Sequence, residues 1–277
     1  MKFLFTADLH GNELQYRKIF RYLNENNLDF LVLGGDLSPK SKNKRNPEDQ
    51  RDFFNSFLFN LTKTSKTKTL LILGNDDYRQ NLNFLKENER SNNYKILGRP
   101  YDANGYFFAG YSYVPYTPFV WKDWERRDLE SDTLRNLRKD VLKEGKLDFD
   151  KPYNILEDFS KHSIEDDLKH LCHGADTHKL ILITHTPPIN TVCDLMKDKN
   201  GRLRHIGSKA VRLFIEKNQP LLTLHGHIHD SVKNSKKYMQ YIGKTISATV
   251  GNDHITEEVF ALEITINRKI QVERIKL

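Results

Sequence analysis

Cysteine is scarce in this sequence, with two residues in a chain of 277. Cys172 and Cys193 follow no spacing pattern, so they cannot form the disulfide framework of a small secreted protein, and they favour a reducing compartment. Long apolar runs are also missing, because charge interrupts the opening segment MKFLFTADLH after a few apolar residues. Such a segment is neither the core of a signal peptide nor a membrane span. We therefore expect a cytoplasmic protein with no membrane partner.

The rest of the composition indicates a folded, basic protein. Hydrophobic residues make up 38% of the chain, with 16 Phe and 12 Tyr, and this fraction excludes wholesale disorder. The length suffices for one large domain or two small ones. A net charge of +7 favours an anionic partner, either a small phosphorylated substrate or nucleic acid. The Lys and Arg residues are scattered, which favours a solvated basic surface and makes nucleic acid possible but not favoured.

Short apolar strands alternate with amphipathic helices along the chain. A strand at residues 2–6 precedes a helical stripe that begins at Tyr16. Strands at 30–33 and 69–73 flank a helix that begins near Pro47, which completes a βαβαβ pattern. Further strands are predicted at residues 180–184, 221–224, 244–249, 259–266 and 270–275. Because no helix separates the last three, we expect an α/β fold with mixed β-sheets, helical crossovers first and a meander last.

One stretch, at about residues 112–170, does not follow this alternation and is too long for a plain connection. We interpret it as a cap, or lid, inserted into a single domain of residues 1–277. Ser163 is the predicted N-cap of a helix near the end of the stretch. Earlier in the stretch, a thin helical stripe is predicted from Leu134, Leu137 and Val141.

The cap also carries an aromatic and basic cluster, made of Trp121, Trp124, Arg126 and Arg127. Its members could hold a base and a phosphate of a substrate, with Arg126 as a substrate-binding residue. Aromatic residues and arginines are equally typical of subunit interfaces. The sequence therefore leaves both substrate binding and oligomerisation through the cap open.

Polar side chains follow five of the predicted strands, at the point where each strand ends. Because the carboxyl ends of parallel strands meet at one edge of a sheet, these side chains are expected to converge. Carboxylates, imidazoles and an amide oxygen gathered in this way predict a metal site. Its seven candidate ligands are Asp8, His10, Asp36, Asn75, His185, His227 and His229.

The spacing within the loops supports this interpretation. In the extended pairs Asp8-x-His10 and His227-x-His229, alternation points both side chains the same way. One ion of ordinary coordination number would leave several of the seven side chains idle. Two ions that share a carboxylate would use all of them, and Asp36 is the natural bridge.

The order D-x-H, G-D, G-N, a His after a strand, and G-H-x-H resembles the calcineurin-like metallophosphoesterase superfamily over nearly the whole chain. The segments THTPP, HIGSKAVRLFI and LHGHIH further resemble a small prokaryotic branch of phosphoesterases. The resemblance implies a four-layer αββα sandwich around a dinuclear centre. One ion would be held by Asp8, His10, Asp36 and His229, and the other by Asp36, Asn75, His185 and His227.

Two divalent ions would lower the pKa of a bridging water and bind the oxygens of a phosphoryl group for in-line attack by hydroxide. Mixed imidazole and carboxylate ligation suits Mn²⁺, Fe²⁺ or Zn²⁺ better than Ca²⁺. The implied activity is that of a phosphoesterase, with catalytic roles for His10, Asp36 and Asp76. Asn75 could contact the substrate as well as the metal.

Most of the superfamily has G-N-H-D or G-N-H-E where this chain has Gly74-Asn75-Asp76-Asp77. That His is associated with protonation of the leaving group, whereas Asp76 beside two cations should stay ionised. Either another group, such as His10, donates the proton, or the leaving group needs little help. We therefore predict phosphodiester or pyrophosphate-type substrates, first of all nucleotide diesters. Asp77 is predicted to be structural, accepting hydrogen bonds from loop amides.

Several alternatives stay open at this point. Ser208, at a predicted helix start, could bind a substrate phosphate, although an ordinary N-cap is the simpler role. The remaining histidines, including His254, lie outside the ligand blocks and are expected to be mostly solvated. The alternative functions are a nuclease of the same superfamily and a catalytically silent protein-binding scaffold. A metal-dependent amidohydrolase is disfavoured because its first strand would carry His-x-His.

Overall fold

The apolar runs form strands and the amphipathic segments form helices in a computed structural model, which describes residues 1–39, 46–137, 145–147, 151–159 and 161–277. The strands are β1 (Lys2–Thr6), β2 (Phe30–Gly34), β3 (Lys68–Ile72), β4 (Tyr94–Ile96), β5 (Tyr101–Ala103), β6 (Tyr106–Tyr111), β7 (Val114–Pro115), β8 (Glu125–Arg126), β9 (Lys146–Leu147), β10 (Lys151–Pro152), β11 (Leu180–Thr184), β12 (Leu195–Lys197), β13 (Leu203–His205), β14 (Leu222–His225), β15 (Met239–Ile242), β16 (Thr245–Thr249), β17 (Phe260–Ile266) and β18 (Ile270–Lys276). The helices are α1 (Glu13–Glu25), α2 (Pro47–Phe53), α3 (Phe59–Thr64), α4 (Asn81–Asn88), α5 (Ile155–Phe159), α6 (Ile164–Leu171), α7 (Lys209–Asn218) and α8 (Ser231–Ser235).

The first of two six-stranded sheets has the order β18-β17-β1-β2-β3-β4. Its strands β1 to β4 are parallel to one another, as helical crossovers require. Strands β17 and β18 form an antiparallel hairpin, and β17 pairs antiparallel with β1. This sheet contains both the predicted βαβαβ unit and the C-terminal meander, so it is mixed as predicted.

The second sheet has the order β15-β16-β14-β11-β6-β5. Its four central strands are mutually parallel, and the edge strands β5 and β15 pair antiparallel with their neighbours. The sequence analysis identified β11, β14 and β16 but not β15. Strand β15 packs only in part against the core, so its apolar pattern is weak.

The two sheets pack face to face because side chains alternate along each strand. In β1, Phe3 and Phe5 point to the space between the sheets, whereas Leu4 points to the outer helices. From the second sheet, buried residues such as Phe108, Ile181 and Leu224 enter the same inner layer. The sheets therefore share one apolar core, which forms the centre of the molecule.

Helices cover the outer face of each sheet. Helix α1 begins at Asn12, whose side chain accepts a hydrogen bond from the amide of Gln15, and its buried face packs on the first sheet. Helices α6 and α7 cover the second sheet through buried residues such as Leu168 and Phe214. Ser163 caps α6 by accepting from the amide of Asp166, as predicted. The expected four-layer αββα sandwich is therefore confirmed.

The stretch interpreted as a cap has little regular structure where it is described. The predicted helical stripe is not observed, because Leu134–Asn136 make a single 3₁₀ turn and Leu137 is extended. Neither leucine is fully buried, so the stripe lacks the packing that stabilises a helix. Val141 lies outside the described residues. Helix α6, at the end of the stretch, belongs to the outer helical layer and not to a lid over the sheet edge.

Cap residues 121–126 dock firmly on the sandwich. The indole nitrogen of Trp124 donates to the carbonyl of Asp77 over 2.6 Å, and Asp123 accepts from the amide of Arg79. Beside them, the buried ammonium of Lys122 lies 2.8 Å from the carboxylate of Glu125. A buried pair with its partners in place holds one geometry, so this part of the cap is a fixed wall.

The two cysteines, Cys172 and Cys193, are free and buried. Every helix in the described part of the chain is too short or too polar to cross a bilayer. Location in the cytoplasm stays a prediction.

The contact between the sheets allows a matched stability test at two glycines. A Cβ at Gly110 would lie 2.4 Å from the side chain of Ile72 and 2.5 Å from that of Leu97, whereas one at Gly98 would meet nothing within 4 Å. We expect Gly110→Ala to lower the free energy of unfolding by about 1–3 kcal/mol through overpacking. Gly98→Ala should leave it within about 1 kcal/mol of wild type. Denaturant unfolding would check this, and equal effects of the two substitutions would contradict the packing argument.

Candidate metal centre

The predicted ligands lie on loops whose backbone is held in an unusual conformation. Asp8, His10, Asp36 and His227 all have positive φ angles, between 42° and 71°. A residue other than glycine in this region of positive φ costs roughly 1 kcal/mol or more, and it persists only where the surrounding structure enforces it. The first two loops enforce it mutually, because the amide of Asp8 donates to the carbonyl of Gly35 and that of His10 to the carbonyl of Asp36. Strain gathered in loops that follow strands of both sheets indicates a functional site.

Four of the predicted ligands form one tight group. Potential ligand atoms of Asp8, His10, Asp36 and His229 all lie within 4.8 Å of one another. The Nε2 atoms of His10 and His229 are 3.1 Å apart, and His10 Nε2 is 3.5 Å from Asp36 Oδ2. These four side chains are the set that the resemblance implies for one ion.

The other three ligands gather on the opposite side of Asp36. The Oδ1 atom of Asn75 lies 3.1 Å from His185 Nε2 and 2.7 Å from His227 Nδ1. His185 Nε2 is in turn 3.4 Å from Asp36 Oδ2. One carboxylate oxygen of Asp36 therefore lies within 3.5 Å of an imidazole nitrogen from each group.

Hydrogen bonds to the candidate ligands fix which of their atoms stay available for a metal. The Nδ1 atom of His185 lies 2.9 Å from the carbonyl of Gly34, so its N–H is used there and Nε2 is left as the donor atom for a metal. Asp36 Oδ1 accepts from the amide of Asp76. Asp8 Oδ1 accepts from the amide of His227, whereas the buried Oδ2 has no hydrogen-bond partner among the described residues. A cation would satisfy that oxygen, so these residues fit a divalent metal.

The electrostatics of the group agree with this fit. Burial raises the pKa of the Asp8 carboxyl, and the nearby imidazoles of His229 and His185 only partly oppose the effect. Burial disfavours the charged form of His185, but the carboxylates of Asp36 and Asp8 prevail and raise the pKa of its imidazole to about 9. Buried carboxylates this close together require positive charge nearby. In the metal-free protein a protonated imidazole supplies it, and divalent cations could supply it instead.

Asp77 ties the second and third loops together. Its buried carboxylate accepts hydrogen bonds from the amides of Leu37, Ser38 and Gly74. Burial, followed by the charge of Asp36, raises the pKa of the Asp77 carboxyl to about 6. The predicted structural role of Asp77 is confirmed.

Gly74 is required for the close approach of these two loops. A Cβ at this position would lie 2.3 Å from Asp36 Oδ1 and 2.6 Å from the ring of His185. The absence of a side chain at Gly74 therefore allows Asn75 to reach the same centre as Asp36.

The match to a family model agrees with the geometry. A model described as calcineurin-like phosphoesterase matches residues 1–231. The chain belongs to the calcineurin-like phosphoesterase family. Membership indicates a phosphoester hydrolase that uses divalent metal, and the group of Asp and His side chains could bind such an ion.

Solved structures resemble this calcineurin-like phosphoesterase over its full length. One aligns with 99% of this chain and 98% of its own at 18% identity, with a TM-score of 0.64. The protein TT1561 of Thermus thermophilus aligns with 98% of this chain and 97% of its own at 18% identity and a TM-score of 0.56. A candidate 5′-nucleotidase from Staphylococcus aureus, solved with α-ketoglutarate, aligns with 100% of this chain and 53% of its own at 14% identity and a TM-score of 0.55. These identities show a shared fold alone, and no curated protein matches.

The hydroxyl of Ser208 is engaged within the chain of this phosphoesterase. Its side chain accepts from the amide of Val211 as an N-cap, and its hydroxyl donates to Asp128. Asp128 also accepts from the amide of Lys209, so a carboxylate of the chain already occupies the helix end where a phosphate would bind. The structure gives no support to substrate binding by Ser208, and its N-cap role is confirmed.

Arg126 is likewise engaged within the chain. Its guanidinium pairs with Asp167 and lies 3.7 Å from the centre of the Tyr113 ring. Arg126 does not line the cavity over the metal ligands. Substrate binding by Arg126 and oligomerisation through the cap therefore stay untested predictions, and the observed contacts of Arg126 are intramolecular.

A cavity of about 560 Å³ opens above the metal ligands. Its lining combines metal ligands with apolar side chains of the cap and of three further loop or edge positions. It consists of Asp36, Asn75, Asp76, Phe119, Val120, Trp121, Met196, Ile206, His227, Ile228, His229, Asp230 and His254. Among the described residues, no Lys or Arg lines it.

His254 is a lining residue that the sequence analysis left outside the ligand blocks, among histidines expected to be mostly solvated. It follows β16, a parallel strand of the second sheet, so the rule that located the other ligands at strand ends would also have identified it. Its ring centroid lies 4.4 Å from that of His10.

Metal binding should compete with protons at His185. With a pKa of about 9, metal-free His185 is protonated at neutral pH, and a metal needs the same Nε2 lone pair. We therefore expect metal binding to release a proton and to weaken as the pH falls from about 8 to about 6. Calorimetry with Mn²⁺ or Zn²⁺ in buffers of different ionisation enthalpy measures this. His185→Asn should lower the proton release, whereas exposed His173→Ala should not; pH-independent affinity would contradict the assignment.

Proposed function

We propose that this protein hydrolyses a phosphodiester or pyrophosphate-type bond in a small molecule, with two divalent cations held by its seven ligands. The observation that carries the proposal is the position of Asp36 Oδ2, 3.5 Å from His10 Nε2 and 3.4 Å from His185 Nε2. When bound, two Mn²⁺, Fe²⁺ or Zn²⁺ ions would supply an activated hydroxide and neutralise the phosphoryl oxygens. A mononuclear site would leave Asn75 and two imidazoles without a function.

The contacts of Asp76 favour substrates with good leaving groups. Its amide holds Asp36 Oδ1, and its carboxylate lies 3.7 Å from His10 Nδ1. A carboxylate there can fix the orientation of the His10 ring but, beside bound cations, it stays ionised and cannot donate a proton. His10 faces the ligands through Nε2 and Asp76 through Nδ1, which disfavours it as the donor too. Pyrophosphates, whose leaving group is a phosphate, and diesters with an activated leaving group suit this arrangement.

The cavity favours a small organic substrate. Phe119 and Val120, at its edge, are 57% and 53% exposed, so they offer apolar surface beside the metal ligands. An aromatic group such as a nucleobase would bury that surface while its phosphoryl group met the cations. A nuclease needs cationic side chains along a groove, and none of the described lining residues is Lys or Arg. We therefore favour a nucleotide diester over nucleic acid.

The activity is tested with phosphomonoesters, linear and cyclic nucleotide diesters and dinucleoside polyphosphates, with Mn²⁺ and again with chelator. We expect hydrolysis of diesters or polyphosphates that chelator abolishes. Asp36→Asn should lower the rate by at least about 100-fold because it removes the shared carboxylate. Exposed Asp52→Asn is the matched control. Full activity in chelator, or in Asp36→Asn, would refute the proposal. A protein that contains no metal after gentle purification, and that takes up none when metal is added, would instead favour a silent scaffold.

The substrate preference is tested by replacing the acid beside the ligands. We expect wild type to hydrolyse pyrophosphates and activated diesters faster than alkyl monoesters, because Asp76 cannot protonate a poor leaving group. Asp76→His should raise the rate on alkyl monoesters relative to those substrates, by about tenfold or more if the imidazole acts as an acid. The measurement is kcat/KM for a matched pair of substrates in both proteins. Faster hydrolysis of alkyl monoesters by wild type would contradict this preference.

A further inference from the structure

The loop that carries His254 is built to hold that residue in place. The side chain of Asn12, at the start of α1, donates to the carbonyl of His254 over 2.9 Å. Gln15 donates to the carbonyl of the preceding Asp253. On the other side, the buried side chain of Asn252 donates to the carbonyl of Ala7 and accepts from the amide of Phe260. Side-chain amides therefore fix the loop backbone on both sides of His254, next to the loop that carries Asp8 and His10.

This placement brings a further imidazole to the metal ligands. The ring centroid of His254 lies 4.4 Å from that of His10 and 5.4 Å from that of His229. A nitrogen of each of the three rings lies within 4.8 Å of the other two. His254 is half-buried and lines the cavity at the end of the site where Asp76 meets His10. A substrate in the cavity can therefore reach it.

The other imidazoles at the site are directed toward the cation positions. His10 and His229 face each other through Nε2, and His227 Nδ1 faces Asn75. His185 is fully buried and uses both nitrogens, one on the carbonyl of Gly34 and one toward Asn75. His254 is the other imidazole of the cavity lining, and its ring can supply an N–H donor to a substrate.

We propose that His254 is a catalytic residue that donates its ring N–H to the oxygen that leaves phosphorus. This inference rests on the proposed function, and it adds the group that stabilises the departing oxygen. That oxygen gains negative charge as its bond to phosphorus breaks, so the hydrogen bond is stronger in the transition state than in the bound substrate. Such an interaction accelerates the reaction most when the leaving group is poor.

A competing role follows from the same distances, because His254 could be an additional ligand of the ion beside His10 and His229. The two roles differ in what the side chain touches. A ligand would change metal affinity and would affect all substrates equally. A donor to the leaving oxygen would leave metal content intact and would act in proportion to the charge on that oxygen.

The test compares His254→Ala and His254→Gln with exposed His173→Ala as control. Each variant is assayed on two phosphodiesters that share one ester group, one with a nitrophenolate leaving group and one with a nucleoside hydroxyl. We expect His254→Ala to lower kcat by about 100-fold on the nucleoside ester and to have little effect on the nitrophenyl ester. His254→Gln, which keeps an N–H donor, should recover part of the loss. Equal losses on both esters, or none, would overturn the proposal.

Two readouts that do not depend on turnover complete the experiment. Metal content of His254→Ala, measured by mass spectrometry, should equal that of wild type, and loss of metal would overturn the proposal in favour of a ligand. Orthovanadate, which places an oxygen in the leaving position, should bind His254→Ala about tenfold more weakly by calorimetry. If wild type hydrolysed no phosphoester, the proposed function would fail. Unchanged vanadate affinity in His254→Ala would overturn the role proposed for His254 and leave the proposed function standing.

Discussion

The structure of the site depends on the placement of one buried carboxylate, that of Asp36. Its Oδ2 faces imidazoles from two separate sheets, and its Oδ1 is held by the amide of Asp76. For this placement the chain accepts a positive φ at Asp36 and a glycine at position 74, where any side chain would collide with it. Asp77 then joins the two loops through backbone amides, so the carboxylate cannot move without breaking buried hydrogen bonds.

Such a site is costly to fold, and the αββα sandwich compensates for the cost. Asp8, Asp36 and Asp77 are buried close together, where like charges repel and desolvation disfavours ionisation. The large apolar core between the sheets supplies stability that does not depend on these groups. The cap adds a wall docked by Trp124 on the carbonyl of Asp77. The same residue that joins the ligand loops therefore also positions the cap above them.

The fold and the metal ligands could largely be predicted, because both depend on local patterns. Short apolar runs located β1 to β3, β11, β14 and β16 to β18, and polar residues at strand ends located Asp36 and the six side chains that gather around it. The helix predicted from the apolar stripe that begins at Leu134 was wrong. The periodicity of a stripe does not show whether the fold provides a surface for it to pack against. His254 was missed because no motif surrounds it, although it follows a parallel strand.

By itself, the sequence determined the type of chemistry, because ligand types and their order at strand ends are written in the chain. Only the tertiary structure decided which contacts the other candidate residues make. Asp128 accepts from the amide of Lys209 beside Ser208, Asp167 pairs with Arg126, and the side chain of Asn12 holds the loop that carries His254. Each of these outcomes depends on a partner distant in sequence, and the spacing of residues along a chain carries no information about such partners until the fold brings them together.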